Sequence, residues 1–292
     1  MNAFELLVPK DKSAALGLLN EHGDEARLIA GGTGLLNLMK QRLVYPERLI
    51  SLHRVGGMDA VTLDGASVRI GALTRLATLE GDPAIATHLP MLRETLHEVA
   101  SPRVRAMATL GGAVAHGDPH QDTPAALIAL GASVIAESHD GSREIPLDEL
   151  YQDYYETALE ADELITEIRI PQQRTRAAAY LKFLPRSAED YATVAAAVSI
   201  EVDDASGVCS GCRIVLGSVG STPIRSTAAE TLLIGERPST ERFRAAAEAA
   251  ARDTDPMTDT RGSAEYKRAM AAVFTRRALT QALERLGQAD AG

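Results

Sequence analysis

Two glycine-paired segments carry the clearest chemistry in the sequence: Ala30-Gly31-Gly32-Thr33-Gly34, and Thr109-Leu110-Gly111-Gly112-Ala113, which runs on to Asp118-Pro119-His120-Gln121-Asp122. Glycine has no Cβ and tolerates positive φ, so consecutive N–H groups converge on an anion that a side chain would keep away. Each pair reads as opening a loop that leads into an apolar, helix-like run. Around the first, residues 27–30 suggest a short buried strand and residues 35–40 the start of a helix whose unpaired amides would join the anion site. Strand, glycine loop and helix in that order point to phosphate. Two such cradles point to one dinucleotide.

The better-known nucleotide patterns do not fit. No Gly-Lys-Ser/Thr follows either pair, which excludes a P-loop, and Asn37 stands where a Rossmann fingerprint has its third glycine. No Ser-His-Asp or paired-carboxylate constellation stands out, so no side chain is assigned a catalytic role; the protein would orient a cofactor and tune it electrostatically. His116 and His120 have helical spacing, but Gly117-Asp118-Pro119 between them forbids a helix, so they read as loop histidines near the cofactor. Cys209-Ser210-Gly211-Cys212 offers two thiolates where a zinc or iron–sulfur site takes four ligands. It follows the turn signal Asp203-Asp204-Ala205-Ser206-Gly207 and reads as part of a hairpin. No metal site is expected.

The elements that must position these residues follow from patterning. A chain of 292 residues with 45% hydrophobic and 24% charged content is long enough for two domains. Its formal charge of −10, with no compensating basic run, argues against nucleic acid or an anionic membrane as partner. No stretch approaches the roughly 20 uninterrupted apolar residues of a membrane helix, and the first residues lack a signal-peptide pattern, so a cytoplasmic protein without membrane insertion is expected. A helix at 12–21 and a strand at 48–52 complete a small α/β unit. Then come a hairpin of 60–63 and 68–70 around Asp64-Gly65, helices at 74–80, 91–99 and 123–130, a turn between 133–136 and 144–146, and an alternating strand at 164–170. Polar Pro171-Gln172-Gln173-Arg174-Thr175-Arg176 reads as a linker. Beyond it, strands at 178–184, 193–202 and 212–219 form an antiparallel sheet, with helices at 226–234, 240–252 and 263–286 covering one face.

With these neighbours the glycine segments resemble the FAD-binding medium subunit of molybdenum-containing hydroxylases, the family of carbon monoxide dehydrogenase medium subunits and xanthine dehydrogenase FAD subunits. The matching residues are Ala30-Gly31-Gly32-Thr33-Gly34-Leu35-Leu36, Met39-Lys40, Arg42-Leu43, Pro46-Glu47-Arg48-Leu49-Ile50 and Ile70-Gly71-Ala72-Leu73-Thr74. They continue with Thr109-Leu110-Gly111-Gly112-Ala113-Val114-Ala115, Asp118-Pro119, Asp122-Thr123-Pro124-Ala125-Ala126-Leu127, Asp190-Tyr191-Ala192, Thr222-Pro223 and Glu230. The resemblance implies an α+β fold: a two-lobed FAD-binding domain of the vanillyl-alcohol-oxidase (PCMH) type over 1–172, with lobes of about 1–55 and 56–172. A smaller C-terminal antiparallel sheet-and-helix domain would occupy 177–287.

It also implies that Ala30, Gly31, Gly32, Thr33 and Gly34, with Thr109, Leu110, Gly111, Gly112 and Ala113, lend backbone amides to the FAD pyrophosphate. Asp122 would accept ribose hydroxyl hydrogen bonds, and Tyr191 would lie against the flavin ring. Lys182 is a further flavin neighbour by analogy. Ala113 departs from the Asn found in many relatives, so only its backbone amide remains to serve. The implied role is an electron-transferring oxidoreductase subunit, passing electrons from [2Fe–2S] clusters of a small subunit through FAD to an external acceptor, while a large molybdopterin subunit handles substrate, assembled as a dimer of heterotrimers. Two other readings stay open: a self-sufficient FAD-dependent oxidase or dehydrogenase of a small alcohol or amine, and a non-catalytic nucleotide-binding interaction module.

Overall fold

The computed structural model describes residues 2–172, 176–185 and 190–289. The chain opens with β1 (Glu5–Leu7), α1 (Lys12–His22), β2 (Ala26–Ile29), α2 (Leu35–Lys40) and β3 (Arg48–Ser51). Asp11 caps α1 by accepting from the Ala14 N–H at 2.8 Å, and Gly23 ends the helix with a φ of 49°. The three strands form a parallel sheet in the order β1-β3-β2. Its first strand was not legible, because Glu5-Leu6-Leu7 is too short to show alternation and much of it faces solvent.

The second lobe contains β4 (Val61–Leu63), β5 (Ser67–Gly71), α3 (Leu76–Gly81), α4 (Pro83–His88), α5 (Pro90–Glu98), α6 (Pro102–Arg105), α7 (Leu110–Ala115) and α8 (Asp122–Ala129). After these come β6 (Ser133–Glu137), β7 (Ser142–Pro146), α9 (Leu147–Leu150), β8 (Tyr151–Asp153), β9 (Glu156–Thr157) and β10 (Leu164–Pro171). Five strands pair antiparallel in the order β4-β5-β10-β6-β7. Side chains alternate across the pleat. Val68, Ile70, Val134, Ala136, Ile168 and Ile170 pack inward on the helices, while Arg69, Glu167, Arg169 and Glu144 form an ion-pair ladder on the other face, with contacts of 2.6–3.0 Å.

The structure corrects one sequence expectation here. Gly111 and Gly112 do not open a loop; they lie in the first turn of α7, where Thr109 is the N-cap and its hydroxyl accepts from the Gly112 N–H at 3.2 Å. Two adjacent glycines are poor helix formers, and this helix owes its place to tertiary packing, as Gly111 shows below.

The last part comprises β11 (Arg176–Phe183), β12 (Val194–Val202), β13 (Cys209–Gly217), β14 (Ile224–Arg225), α10 (Thr227–Thr231), α11 (Thr240–Arg252) and α12 (Ala264–Ala289). The strands form an antiparallel sheet in chain order. Expected helices cover one face, where Val194, Ala196, Val198, Ile200, Ile214 and Leu216 meet Phe243, Ala246, Ala250, Ala278 and Leu279. The opposite face is buried too: Tyr180, Ala195, Ala197 and Val215 join the core of the second lobe. Between the two sheets lies α8, every residue of which is buried. That burial accounts for an apolar Thr-Pro-Ala-Ala-Leu-Ile-Ala run with no solvent face. Of the expected linker, Pro171 closes β10 and Arg176 opens β11; residues 173–175 lie outside the described residues. Cys209 and Cys212 are buried, without a disulfide, on β13, beside a register shift in its pairing with β12.

Candidate functional site

The two glycine segments, almost eighty positions apart in sequence, are in direct contact. A Cβ built on Gly31 would stand 2.1 Å from the carbonyl oxygen of Met107, and one on Gly111 would stand 2.5 Å from the Cβ of Ala72. No side chain fits at either place, so both glycines serve close chain approach. Gly32 has a φ of 71°, the left-handed region that glycine enters without strain. Backbone bonds from Leu110 N–H to the Thr74 carbonyl (3.0 Å) and from Gly111 N–H to the Ala72 carbonyl (2.8 Å) fasten the second segment to the sheet edge.

The two segments therefore differ in what they offer an anion. In the second, the amides of Leu110, Gly111, Gly112 and Ala113 are all taken by protein acceptors, Ala113 by the Thr109 carbonyl at 2.9 Å. This revises the expectation of two equivalent cradles, and the cause is the helical turn that Thr109 caps. In the first, among the described residues, the N–H groups of Gly31, Gly32, Thr33 and Gly34 donate to no protein acceptor. Four successive unpaired amides on a half-buried loop are a donor set suited to phosphate. Ala30 lies beside Gly112, whose built Cβ would be 4.0 Å from the Ala30 Cβ, and Gly112 faces out.

From Gly34 a cleft of about 340 Å³ opens between the first lobe and the rest of the chain. Gly34, Asn37, Leu38, Gln41 and Leu43 form one wall; His116, Asp118, His120, Tyr155, Tyr191 and Arg261 form the other. The expected loop histidines thus face the cleft, with Gly117 at a φ of 66° in the turn between them. Asp118 is buried, and its Oδ1 accepts from the His120 N–H at 3.0 Å and lies 3.3 Å from His120 Nδ1. Burial alone would raise this carboxyl, but the ring and amide of His120 and the hydroxyl of Tyr191 hold it below the usual carboxylate range. Burial pushes the His116 imidazole down. The Tyr155 and Tyr191 phenols are pushed up, first by burial and then by the Asp118 charge they face. No group of three or more metal-ligating side chains assembles among the described residues.

Asp122 sits behind the cleft wall. Its carboxylate is buried at the head of α8, where Oδ1 accepts from the Tyr180 hydroxyl and Oδ2 meets Lys182 Nζ at 2.9 Å. Lys182 also donates to the Glu98 carbonyl at 2.8 Å, and its side chain is 1% exposed. Burial raises Asp122, against the opposing pull of Lys182 and Tyr180, and it drives the Tyr180 phenol well up. Each oxygen of Asp122 thus has one protein donor. Tyr191, by contrast, is 46% exposed in the cleft, and Arg261 holds its guanidinium 6.0 Å from the ring centroid. Tyr155 and Arg261 escaped the sequence reading, because each is a lone residue in a loop whose partners lie many tens of positions away.

Comparison with known proteins gives a consistent result. Residues 2–173 match the family described as FAD binding domain in molybdopterin dehydrogenase, and residues 179–282 match the CO dehydrogenase flavoprotein C-terminal domain. The chain is 38% identical to the carbon monoxide dehydrogenase medium chain of Afipia carboxidovorans, over 97% of this chain and 98% of that one. It is 37% identical to the 6-hydroxypseudooxynicotine dehydrogenase complex subunit alpha of Paenarthrobacter nicotinovorans, over 97% and 95%. A solved carbon monoxide dehydrogenase chain from Hydrogenophaga pseudoflava superimposes with a TM-score of 0.94 at 39% identity, covering 97% of this chain and 98% of that one.

Proposed function

The chain belongs to the family of FAD-binding medium subunits of molybdopterin dehydrogenases, and from that premise we propose that FAD lies across the contact of the two glycine segments with its ring end in the cleft. The observation that carries this is the row of unpaired amides from Gly31 to Gly34, opening directly into a cleft walled by Tyr155 and Tyr191. Ala30 to Gly34 would hold the pyrophosphate, and Thr109 to Ala113 would back that loop and limit its depth. Tyr191 offers the ring an aromatic face. Asp122 acts through Tyr180 and Lys182, fixing the floor beneath the cleft.

FAD, when bound, supplies the exchange of electrons between one-electron clusters and a two-electron acceptor. The chain's own contribution is to bind, orient and shield. It works as the oxidoreductase subunit that takes electrons from the [2Fe–2S] clusters of a small partner and passes them to an external acceptor, while a large molybdopterin subunit acts on substrate. The assembly proposed is a dimer of heterotrimers, with the FAD-binding domain over 1–172 and the C-terminal domain over 177–287. The two cysteines left as thiols suit the cytoplasm, and no helix of the described residues is long and apolar enough to cross a membrane.

Gly34→Val tests the reading. Its side chain would meet the ring of His116, a side chain rather than backbone, with the nearest atom 2.5 Å from the built Cβ, at the wall of the cleft. The expected result is an unchanged far-ultraviolet circular dichroism spectrum with loss of yellow flavin absorbance and of FAD uptake on titration. Undiminished FAD uptake by the folded variant would overturn the proposed site.

A further inference from the structure

A tight turn between α11 and α12 sends one cation into the cleft wall. The Asp259 N–H donates to the Gly262 carbonyl at 3.1 Å, and the Gly262 N–H returns to the Asp259 carbonyl at 3.2 Å. The Asp259 carboxylate fastens the turn twice: Oδ1 accepts from the Arg261 N–H at 2.8 Å, and Oδ2 meets Nζ of the buried Lys267 at 2.8 Å. Lys267 also donates to the Met257 carbonyl at 2.8 Å. Arg261 projects from this turn, and its Nη2 donates to Asp190 Oδ1 at 3.0 Å, the same oxygen that accepts from the Tyr191 N–H at 2.8 Å. One carboxylate oxygen thereby joins two loops 71 positions apart, with the guanidinium 6.0 Å from the Tyr191 ring centroid.

The ion pair is oriented. Among the described residues, Arg261 is the one lysine or arginine that lines the cleft, while its counter-ion Asp190 lies outside the lining. Its side chain is 26% exposed, and among the described residues its buried Nε donates to no protein acceptor. A guanidinium carries five donors, so the bond to Asp190 does not exhaust it. The cleft also holds the carboxylate of Asp118, which by itself would repel negative charge brought there. A fixed cation in a partly enclosed wall offsets that repulsion at no cost of reorganisation.

We propose that Arg261 is the cation that balances the negative charge the flavin ring gains on reduction, held at the cleft wall by Asp190. This rests on the reading that the ring end of FAD lies in the cleft. Two electrons from iron–sulfur clusters and one proton from solvent, taken at N5, leave one net negative charge spread over N1 and the C2 carbonyl. Charge near these atoms sets how readily the ring accepts electrons. Arginine supplies it without exchanging a proton, because it stays cationic throughout. The oxidised ring is neutral, so Arg261 favours the reduced form over the oxidised one.

The test is a stepwise dithionite titration of the FAD-loaded full chain, purified with its partner subunits and followed by flavin absorbance against the FAD-free complex. Arg261→Gln removes the charge and keeps a polar side chain. It is expected to weaken the preference for the reduced form roughly tenfold, the order carried by one hydrogen bond to a charged group, which lowers the midpoint potential by about 30 mV for two electrons. Affinity for oxidised FAD should change far less. Arg261→Lys should recover most of the potential. Asp190→Asn is expected to move it upward, because the guanidinium loses its counter-ion while the amide oxygen still accepts from the Tyr191 N–H.

Weakened binding of oxidised FAD with an unchanged potential in Arg261→Gln would assign Arg261 to the phosphates and overturn the proposal. Equal downward shifts in Arg261→Gln and Asp190→Asn would overturn it too, since both residues would then only position Tyr191. The visible bands of the bound flavin report on the ring's place independently, and Tyr191→Ala is expected to shift them. Unshifted bands would overturn the placement of the ring in the cleft; shifted bands with a wild-type potential in Arg261→Gln would overturn the role of Arg261 alone. Should Arg261→Gln fail to fold, Asp190→Asn decides by the sign of its shift, and a potential at or below wild type overturns the proposal.

Discussion

Lys182 on β11 reaches Asp122 at the start of α8, 2.9 Å away, and the same ammonium holds the Glu98 carbonyl at the end of α5. One buried cation thereby joins the C-terminal sheet to two helices of the second lobe. Removing one member of a buried pair strands the other charge, which costs about 3–5 kcal/mol. Lys182→Met is expected to lower the midpoint of chemical unfolding accordingly. Lys182→Met/Asp122→Asn should be less destabilised than the sum of its singles, because the stranded carboxylate is gone. Additive losses in denaturant titrations would show that the pair is not coupled.

Gly31→Ala forces a methyl group into the Met107 carbonyl. Backbone cannot yield as a side-chain tip does, so the loop must lift from its seat. The expected loss is about 1–3 kcal/mol of stability, typical of overpacking, together with weaker FAD uptake. Calorimetry and equilibrium dialysis check both; full FAD affinity in a destabilised variant would separate the seat from the cradle.

Arg105 is buried, with Glu80 at 2.8 Å and the carbonyls of Val99 and Ala100 at 2.9 and 3.2 Å, and so it sets the path of the chain into Met107. Burial would raise the Glu80 carboxyl, but His97 and Arg105 hold it below its ordinary value. A carboxyl lowered in the folded state contributes stability above its unfolded pKa of about 4.3, and loses it as pH falls through the lower folded value. The stability gap between wild type and Glu80→Gln should therefore be constant near neutrality and shrink below about pH 4. Unfolding curves at a series of pH values give the test, and a gap that widens in acid would contradict the assignment.

The FAD-loaded chain by itself should not be bleached by small alcohols or amines, since the proposed function has its electrons arrive from the clusters of a partner subunit. Rapid reduction should require the partner subunits and their substrate. Stopped-flow absorbance of the isolated chain and of the complex distinguishes these outcomes, and fast bleaching of the isolated chain would favour a self-sufficient oxidase.

Much of this architecture was legible because local chemistry and fold agree. Helix 240–252 was read to its ends because its apolar spacing keeps one face, and the structure adds Ser239 as its cap. The hairpin around Asp64-Gly65 was plain from turn chemistry. What escaped the sequence depended on distant neighbours. Gly111-Gly112 looked like a loop, since nothing nearby reveals that Ala72 will press on Gly111 and hold a helical turn there. The partners of Asp122, Tyr180 and Lys182, gave no sign of themselves because they sit on another sheet. Arg261 and Tyr155 gave no signal at all, for their place in the cleft wall is decided by tertiary approach alone.

The wholly buried α8 has a practical consequence for anyone who divides the chain. A fragment ending at Gln172 would lose Tyr180, Ala195, Ala197 and Val215, and water would then touch a helix that has no polar side. Such a piece would clump, whatever its affinity for nucleotide, and the C-terminal piece would bring to solution the matching apolar sheet. The two regions of this chain thus depend on each other for a dry α8.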